Sequence, residues 1–346
     1  MRRALHAQRS WPLWALLACL LGCTRSAPWT VDRSDEQNWL LAVSELQGRL
    51  LVAGGQPGPT PSQAGRGRLL VRSNQGAGAG EYAVLESPQP GMLWWVHALP
   101  SQGVAWLCGE QGSVLRYEPL GAGTLQAIPT GSRATLYGIW AFSDDDVWAV
   151  GGEPTGQGVL LHGGRSGLSP DRSAPASATL YKLFASSPDA LFAVGQDGAL
   201  LRRLGPGASA AWQRDPSPVR DRLLTAWGDD DQRVYAVGGL GRARLLVFDG
   251  QAWRSDEAVA ELSGLAGVYS HGAELLITGQ QGLVAWRRRS EPLGSAFTVA
   301  EPVTSLDLHA AFGLQDQRWA VGGNLSQYPV QPPRGVVLRQ GPVSLP

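Results

Sequence analysis

The sequence predicts an all-β chain, a seven-bladed β-propeller of four-stranded antiparallel blades, on three observations. A hydrophobic run ending in glycine recurs seven times, as LLVAGG, AWLCGE, VWAVGG, LFAVGQ, VYAVGG, LLITGQ and RWAVGG. The anchoring glycines, Gly54, Gly109, Gly151, Gly195, Gly238, Gly279 and Gly322, stand 55, 42, 44, 43, 41 and 43 residues apart. Near the N-terminus, Trp29-Thr30-Val31-Asp32 matches Trp212-Gln213-Arg214-Asp215 and Trp253-Arg254-Ser255-Asp256 of later repeats. Units of about 40–50 residues with four strands each are the mark of propeller blades.

Each element of the repeat follows from its residues. Three positions before the glycines stand Leu51, Trp106, Trp148, Phe192, Tyr235, Leu276 and Trp319; one position before stand Ala53, Cys108, Val150, Val194, Val237, Thr278 and Val321. Residues two apart share a strand face, so large side chains stack beside small ones on one side. Upstream lies a second extended run: WLLAV, LWWVHAL, LYGIWAF, LYKLFA, LLTAW, LAGVY or LDLHAAF. Polar turns such as SDDD, SSPD and GDDDQ join the two runs. A third strand follows each glycine, then a less regular fourth. The last repeat stops after its third strand, GVVLRQG, so residues 28–34 are expected to complete it and close the ring. Glycine numbers 45, as expected where turns require positive φ.

Composition excludes several classes. The 29 basic residues balance 29 acidic ones, which removes the electrostatic footprint of a nucleic-acid binder. At 43% hydrophobic the chain can build a large core. Lys182 is the only lysine, a bias toward arginine that reads as base composition and not as mechanism.

The N-terminus carries an address. Arg2, Arg3 and Arg9 precede an apolar run, Trp11 to Leu21, about half as long as a membrane span requires. Its end, Leu20-Leu21-Gly22-Cys23, resembles the lipobox of bacterial lipoproteins, with Cys19 behind Leu17-Ala18 as a second such position. The resemblance implies a leader over 1–22, lipidation of Cys23, a short linker over 23–27 and the propeller over 28–346. It also implies a bacterial envelope location. In a Gram-negative host Thr24, where an aspartate would resemble an inner-membrane retention signal, favours the outer membrane. Several acyl chains give stable anchoring where one is marginal. Thr24 to Pro28 would span at most about 17 Å, so the last blade would sit close to the bilayer.

The repeats resemble kelch-like propellers, closest in VYAVGG…RLLVFDGQAWRSD, although the glycine doublet fails at Gly109, Gly195 and Gly279. VWAVGG units also look like repeats of large bacterial extracytoplasmic proteins. A propeller hosts unrelated functions, so function must come from a site.

Candidate chemistry is sparse. His97 and His309 fall in innermost strands of different blades, near the expected channel; none of His97, His162, His271 and His309 has a metal-ligand spacing. Asp144-Asp145-Asp146 and Asp229-Asp230-Asp231 fall in equivalent turns, where carboxylates cap backbone N–H groups, and lack the spacing of a calcium loop. Cys108 fills the small apolar column as a buried hydrophobe. The turn after the glycine expands in two repeats, to GQPGPTPSQAGRGR and NLSQYPVQPPRG, which ring closure would make neighbours. Arg66, Arg68, Tyr328 and Arg334 are therefore the candidate partner-binding residues.

The expectation is a monomeric, lipid-anchored, non-enzymatic scaffold that binds a protein or glycan, with no catalytic residue, metal or cofactor. The alternative, a lactonase-like hydrolase or lyase at the channel mouth, requires several inward-facing Asp, Glu or His residues. An envelope assembly factor is a third possibility.

Overall fold

A computed structural model describes residues 27–60, 63–73, 80–120, 123–205, 210–314 and 317–341. The expected leader, Cys19 and Cys23 lie outside the described residues. Seven four-stranded antiparallel sheets form the blades. Blade 1 comprises Trp39–Leu46, Arg49–Gln56, Arg66–Ser73 and Tyr82–Pro90. Blades 2 to 6 repeat that order, opening on Leu93–Leu99, Thr135–Ser143, Leu180–Ser187, Leu223–Gly228 and Leu265–His271. Blade 7 has Asp307–Leu314, Gln317–Gly323 and Gly335–Gln340, and takes Thr30–Asp35 as its outer strand. Each innermost strand packs on the next, and that of blade 7 returns to blade 1. The core lies between blades, where Leu51, Trp106, Trp148, Phe192, Tyr235, Leu276 and Trp319 are at most 3% exposed.

Glycine at the seven anchors answers to close approach. A Cβ at each would fall well inside 3.0 Å of a backbone carbonyl oxygen at the start of the innermost strand or of the residue just before it: Trp39, Met92, Thr135, Thr179, Arg222, Gly264 and Asp307 in turn. Gly109, Gly195 and Gly279 are themselves extended, at φ −164°, −167° and −168°. This corrects the attribution of glycine to turn conformation alone. The missing doublet also has a cause. Blades 2, 4 and 6 use compact turns, Glu110–Gly112, Gln196–Gly198 and Gln280–Gly282, in which the final glycine has φ near +70°.

Opposite each anchor the innermost strand carries a β-bulge. Pairing runs Leu40 with Gly54 and then Ala42 with Ala53; the skip recurs at Trp94, Tyr137, Tyr181, Leu224, Ala266 and His309. The extra residue leaves the ladder and its carbonyl is free for another partner.

Closure depends on more than the ladder between Thr30–Asp35 and Gly335–Gln340. Gln340 Nε2 donates to the Ala27 carbonyl at 2.6 Å. Trp29 is buried, and Asp32 reaches across to blade 1, accepting from Arg72 Nε at 3.0 Å and from Tyr82 OH at 2.8 Å. The equivalent Asp215 accepts from Arg202 and from Trp253 of the next blade, and Asp256 from Arg287 of the next blade. The Trp-x-x-Asp segment is thus an inter-blade tie. Asp32→Ala strands a buried guanidinium and should cost about 3 kcal/mol in chemical denaturation. Arg254→Ala, at an exposed pair with Asp249, should leave the midpoint near wild type.

Candidate functional site

Two features share one face of the ring: the paired long loops and the mouth of the central channel. The loop over 324–334 is organised by Asn324, only 1% exposed. Its Oδ1 accepts from Trp39 Nε1 at 3.0 Å and from the Arg334 amide at 2.8 Å, while Nδ2 donates to the Pro332 carbonyl at 2.8 Å. Tyr328 meets Trp39 edge-on with centroids 5.2 Å apart, and its hydroxyl donates to the Gly58 carbonyl at 2.5 Å. The two long loops therefore touch across the closure.

The four residues singled out from sequence have different surroundings. Arg66 is exposed at the start of its strand. Arg68 pairs with Glu86 of the same blade, Nε to Oε1 at 2.8 Å. Tyr328 is half-buried as a loop-to-loop strut, and the Arg334 guanidinium donates to Gln331 Oε1 at 3.3 Å. Tyr328 and Arg334 belong to one ordered loop. No described contact joins them to Arg66 or Arg68. Of the four, Arg66 is exposed, and Arg68, Tyr328 and Arg334 are half-buried.

The channel mouth is built by the bulges. Trp94, Tyr137, Tyr181, Leu224, Ala266 and His309, six of the seven bulged residues, line a cavity of about 540 Å³, within the range of ligand pockets. One wall is an aromatic arc: Trp94 to His309 at 6.2 Å, Trp94 to Tyr137 at 5.1 Å and Tyr137 to Tyr181 at 5.3 Å. The opposite wall is aliphatic, with Leu224, Leu240 and Leu265. Arg222, Gln280, Asp307 and Ser326 supply polar groups, and Ser326 ties the long loop to the cavity by donating to Asp307 Oδ2 at 2.6 Å. Burial raises the Tyr137 and Tyr181 phenols, so both stay neutral.

Deeper in the channel lies an aromatic plug. Two positions along from the residues that follow the bulges stand His97, Trp140, Phe184, Trp227, Tyr269 and Phe312, with Ser44 in blade 1. Successive rings lie 4.2 to 5.9 Å apart, and Trp140 meets Trp227 at 5.7 Å although a blade intervenes. The cavity is a funnel that these rings narrow.

Lys182 lies between mouth and plug, and the sequence reading passed over it. It follows the blade 4 bulge, is 2% exposed and lines the funnel. Its Nζ donates to the Tyr137 carbonyl at 3.1 Å and sits 3.4 Å from the centre of the Trp95 ring. No described carboxylate lies within ion-pairing distance of it. Burial without a counter-charge pulls the amine down to about 7. Its only signal in the sequence was its singularity.

His97 and His309 do not form a pair. His309 is at the mouth, where Nδ1 contacts the Leu41 carbonyl at 2.7 Å; His97 is in the plug, where Nε2 contacts the Ala141 carbonyl at 3.2 Å. Desolvation lowers both to about 4. Four of the six carboxylates in the acidic runs are engaged by the chain itself: Asp144 accepts from Arg116, Asp146 from Trp148 and His162, Asp229 from Ser270, and Asp230 from two turn amides. Among the described residues no group of three or more His, Cys, Asp or Glu could hold a metal ion. Cys108 is buried, with its thiol raised to about 12 by desolvation.

Neither a protein-family model nor a curated protein matches the chain. Solved structures do. The WD40 repeats of RRP9 superpose with a TM-score of 0.68 at 9% identity, covering 92% of this chain and 99% of that one. The computationally designed Ika8 protein superposes with a TM-score of 0.57 at 11% identity, covering 84% of each chain. The fold is a seven-bladed β-propeller. At such identities the likeness extends to architecture alone.

The displaced titrations give stability a defined pH dependence. The unfolded chain binds more protons than the folded one between pH 4 and 6.5 at His97 and His309, and between pH 7 and 10.5 at Lys182. Stability should therefore fall as pH drops from 6.5 to 4, and rise from pH 7 toward about 8.5, above which the raised Cys108 thiol and buried tyrosines act in the opposite sense. Denaturant midpoints of Lys182→Met should lack the upper slope; a slope equal to wild type would contradict the assignment.

Proposed function

We propose that this protein is a lipid-anchored, non-enzymatic binding propeller of the bacterial envelope, held at the outer membrane through Cys23 and engaging a protein or glycan partner. The observation that carries the reading is the union of two features on one face. Tyr328 joins the long loops at Gly58, and Leu325 and Ser326 of the same loop line an aromatic funnel. Aromatic walls with a few polar groups at the rim suit a sugar ring or an apolar side chain projecting from a larger partner. Arg66 and Arg334 are the residues that would hold that partner's exterior, while Tyr328 and Arg68 shape the surface.

Support for the anchor comes from the lipobox-like segment and from the tie at Ala27, which places the start of the described chain against blade 7. Lys182, Asp307 and His309 also line the funnel, which favours a hydrolase- or lyase-like reading in second place. The accepting oxygens of Asp307 and the Nδ1 of His309 are already engaged by the fold, which argues for binding over turnover.

Affinity recovery from detergent-solubilised membranes tests the proposal. Arg66→Ala combined with Arg334→Ala should lower partner recovery roughly tenfold at unchanged thermal stability. Cys23→Ala should move the protein out of the membrane fraction. Unchanged recovery in the double variant would remove the loop face from the reading.

A further inference from the structure

We propose that the funnel is also a covalent capture site for small aromatic carbonyl compounds, with Lys182 Nζ as the nucleophile. The geometry assembles what such capture needs. The residue lines the cavity, and its amine has no carboxylate partner among the described residues and is held in place by one hydrogen bond and one ring face. An uncharged amine has two N–H groups and one lone pair. With one N–H on the Tyr137 carbonyl and the other over Trp95, the lone pair is the group left unengaged. Desolvation holds a large part of this amine in the uncharged form near neutral pH, the same device that activates lysine nucleophiles in apolar pockets.

The ligand class follows from the walls. A planar aromatic body fits the arc of Trp94, Tyr137 and Tyr181, and a carboxylate on it would meet the Arg222 guanidinium. The reaction is a condensation. The Nζ lone pair attacks the carbonyl carbon, a C–N bond forms and the oxygen takes up a proton. Loss of that hydroxyl with the remaining nitrogen proton as water leaves an imine. No oxidant or reductant enters, and water reverses the step.

The rest of the chain makes the test clean. Lys182 is the only lysine, so one other amine, the chain terminus, can compete, and peptide mapping separates the two. The full chain is treated with 4-carboxybenzaldehyde and cyanoborohydride at pH 7. The expected result is one reduced adduct, on Lys182, forming at least roughly tenfold faster than on free acetyl-lysine amide. Leu224→Trp, which fills the funnel from its aliphatic wall, should slow labelling at least roughly tenfold. Lys182 left unlabelled in the folded chain but labelled after denaturation would overturn the proposal. So would an unchanged rate in Leu224→Trp, because the reagent would then arrive by another route. Labelling is scored on the isolated protein and partner recovery on membranes, so either reading can fail while the other stands.

Discussion

The closeness of two backbones sets the rest of this molecule. In every blade the second strand lies against the first so tightly that the anchor position has no room for a Cβ. Immediately beyond that contact the first strand gains one residue and bulges. Close approach and bulge recur seven times, and their joint effect is directional. Six of the bulged side chains line the axial cavity, while bulge carbonyls are left for groups of neighbouring blades. Lys182 takes the Tyr137 carbonyl, Thr225 that of Ala266 and His309 that of Leu41. A local steric rule therefore builds both the funnel and some of the polar ties that keep neighbouring blades in register.

The ring itself is closed by chemistry of a different kind. In blades 2 to 6 the outer strands are short, down to the two residues of Thr298–Val299, so the ladder alone gives modest purchase at the rim there. Buried aspartates make up for this by crossing blade boundaries, as Asp32 does to Arg72 and Asp256 to Arg287. The same Asp32 joins the outer strand of blade 7 to blade 1.

Much of this architecture was legible in the sequence. Hydrophobic runs, anchor glycines and the Trp29 segment sufficed for blade number, strand order and closure, because each is a local pattern repeated in register. The site was less so. Tyr328 was legible as a loop aromatic, but its role as a strut depends on Gly58, which is 270 positions away in the chain. The bulges escaped notice because an inserted residue breaks the alternation that identifies a strand. Once the anchors are aligned, the column one residue after Leu40, Leu93, Leu136, Leu180, Leu223, Leu265 and Leu308 would have found the funnel. Lys182 was weighed as composition, since one residue cannot show from sequence that three blades will enclose it.

The most direct test of the account is a single methyl group. Gly151→Ala places a Cβ against the Thr135 carbonyl, whereas Gly341→Ala places one in open space. Thermal unfolding of the two variants should differ sharply, with Gly151→Ala losing about 3 kcal/mol and Gly341→Ala matching the parent chain. Equal stability of both variants would contradict the claim that strand approach at the anchors holds the blades together.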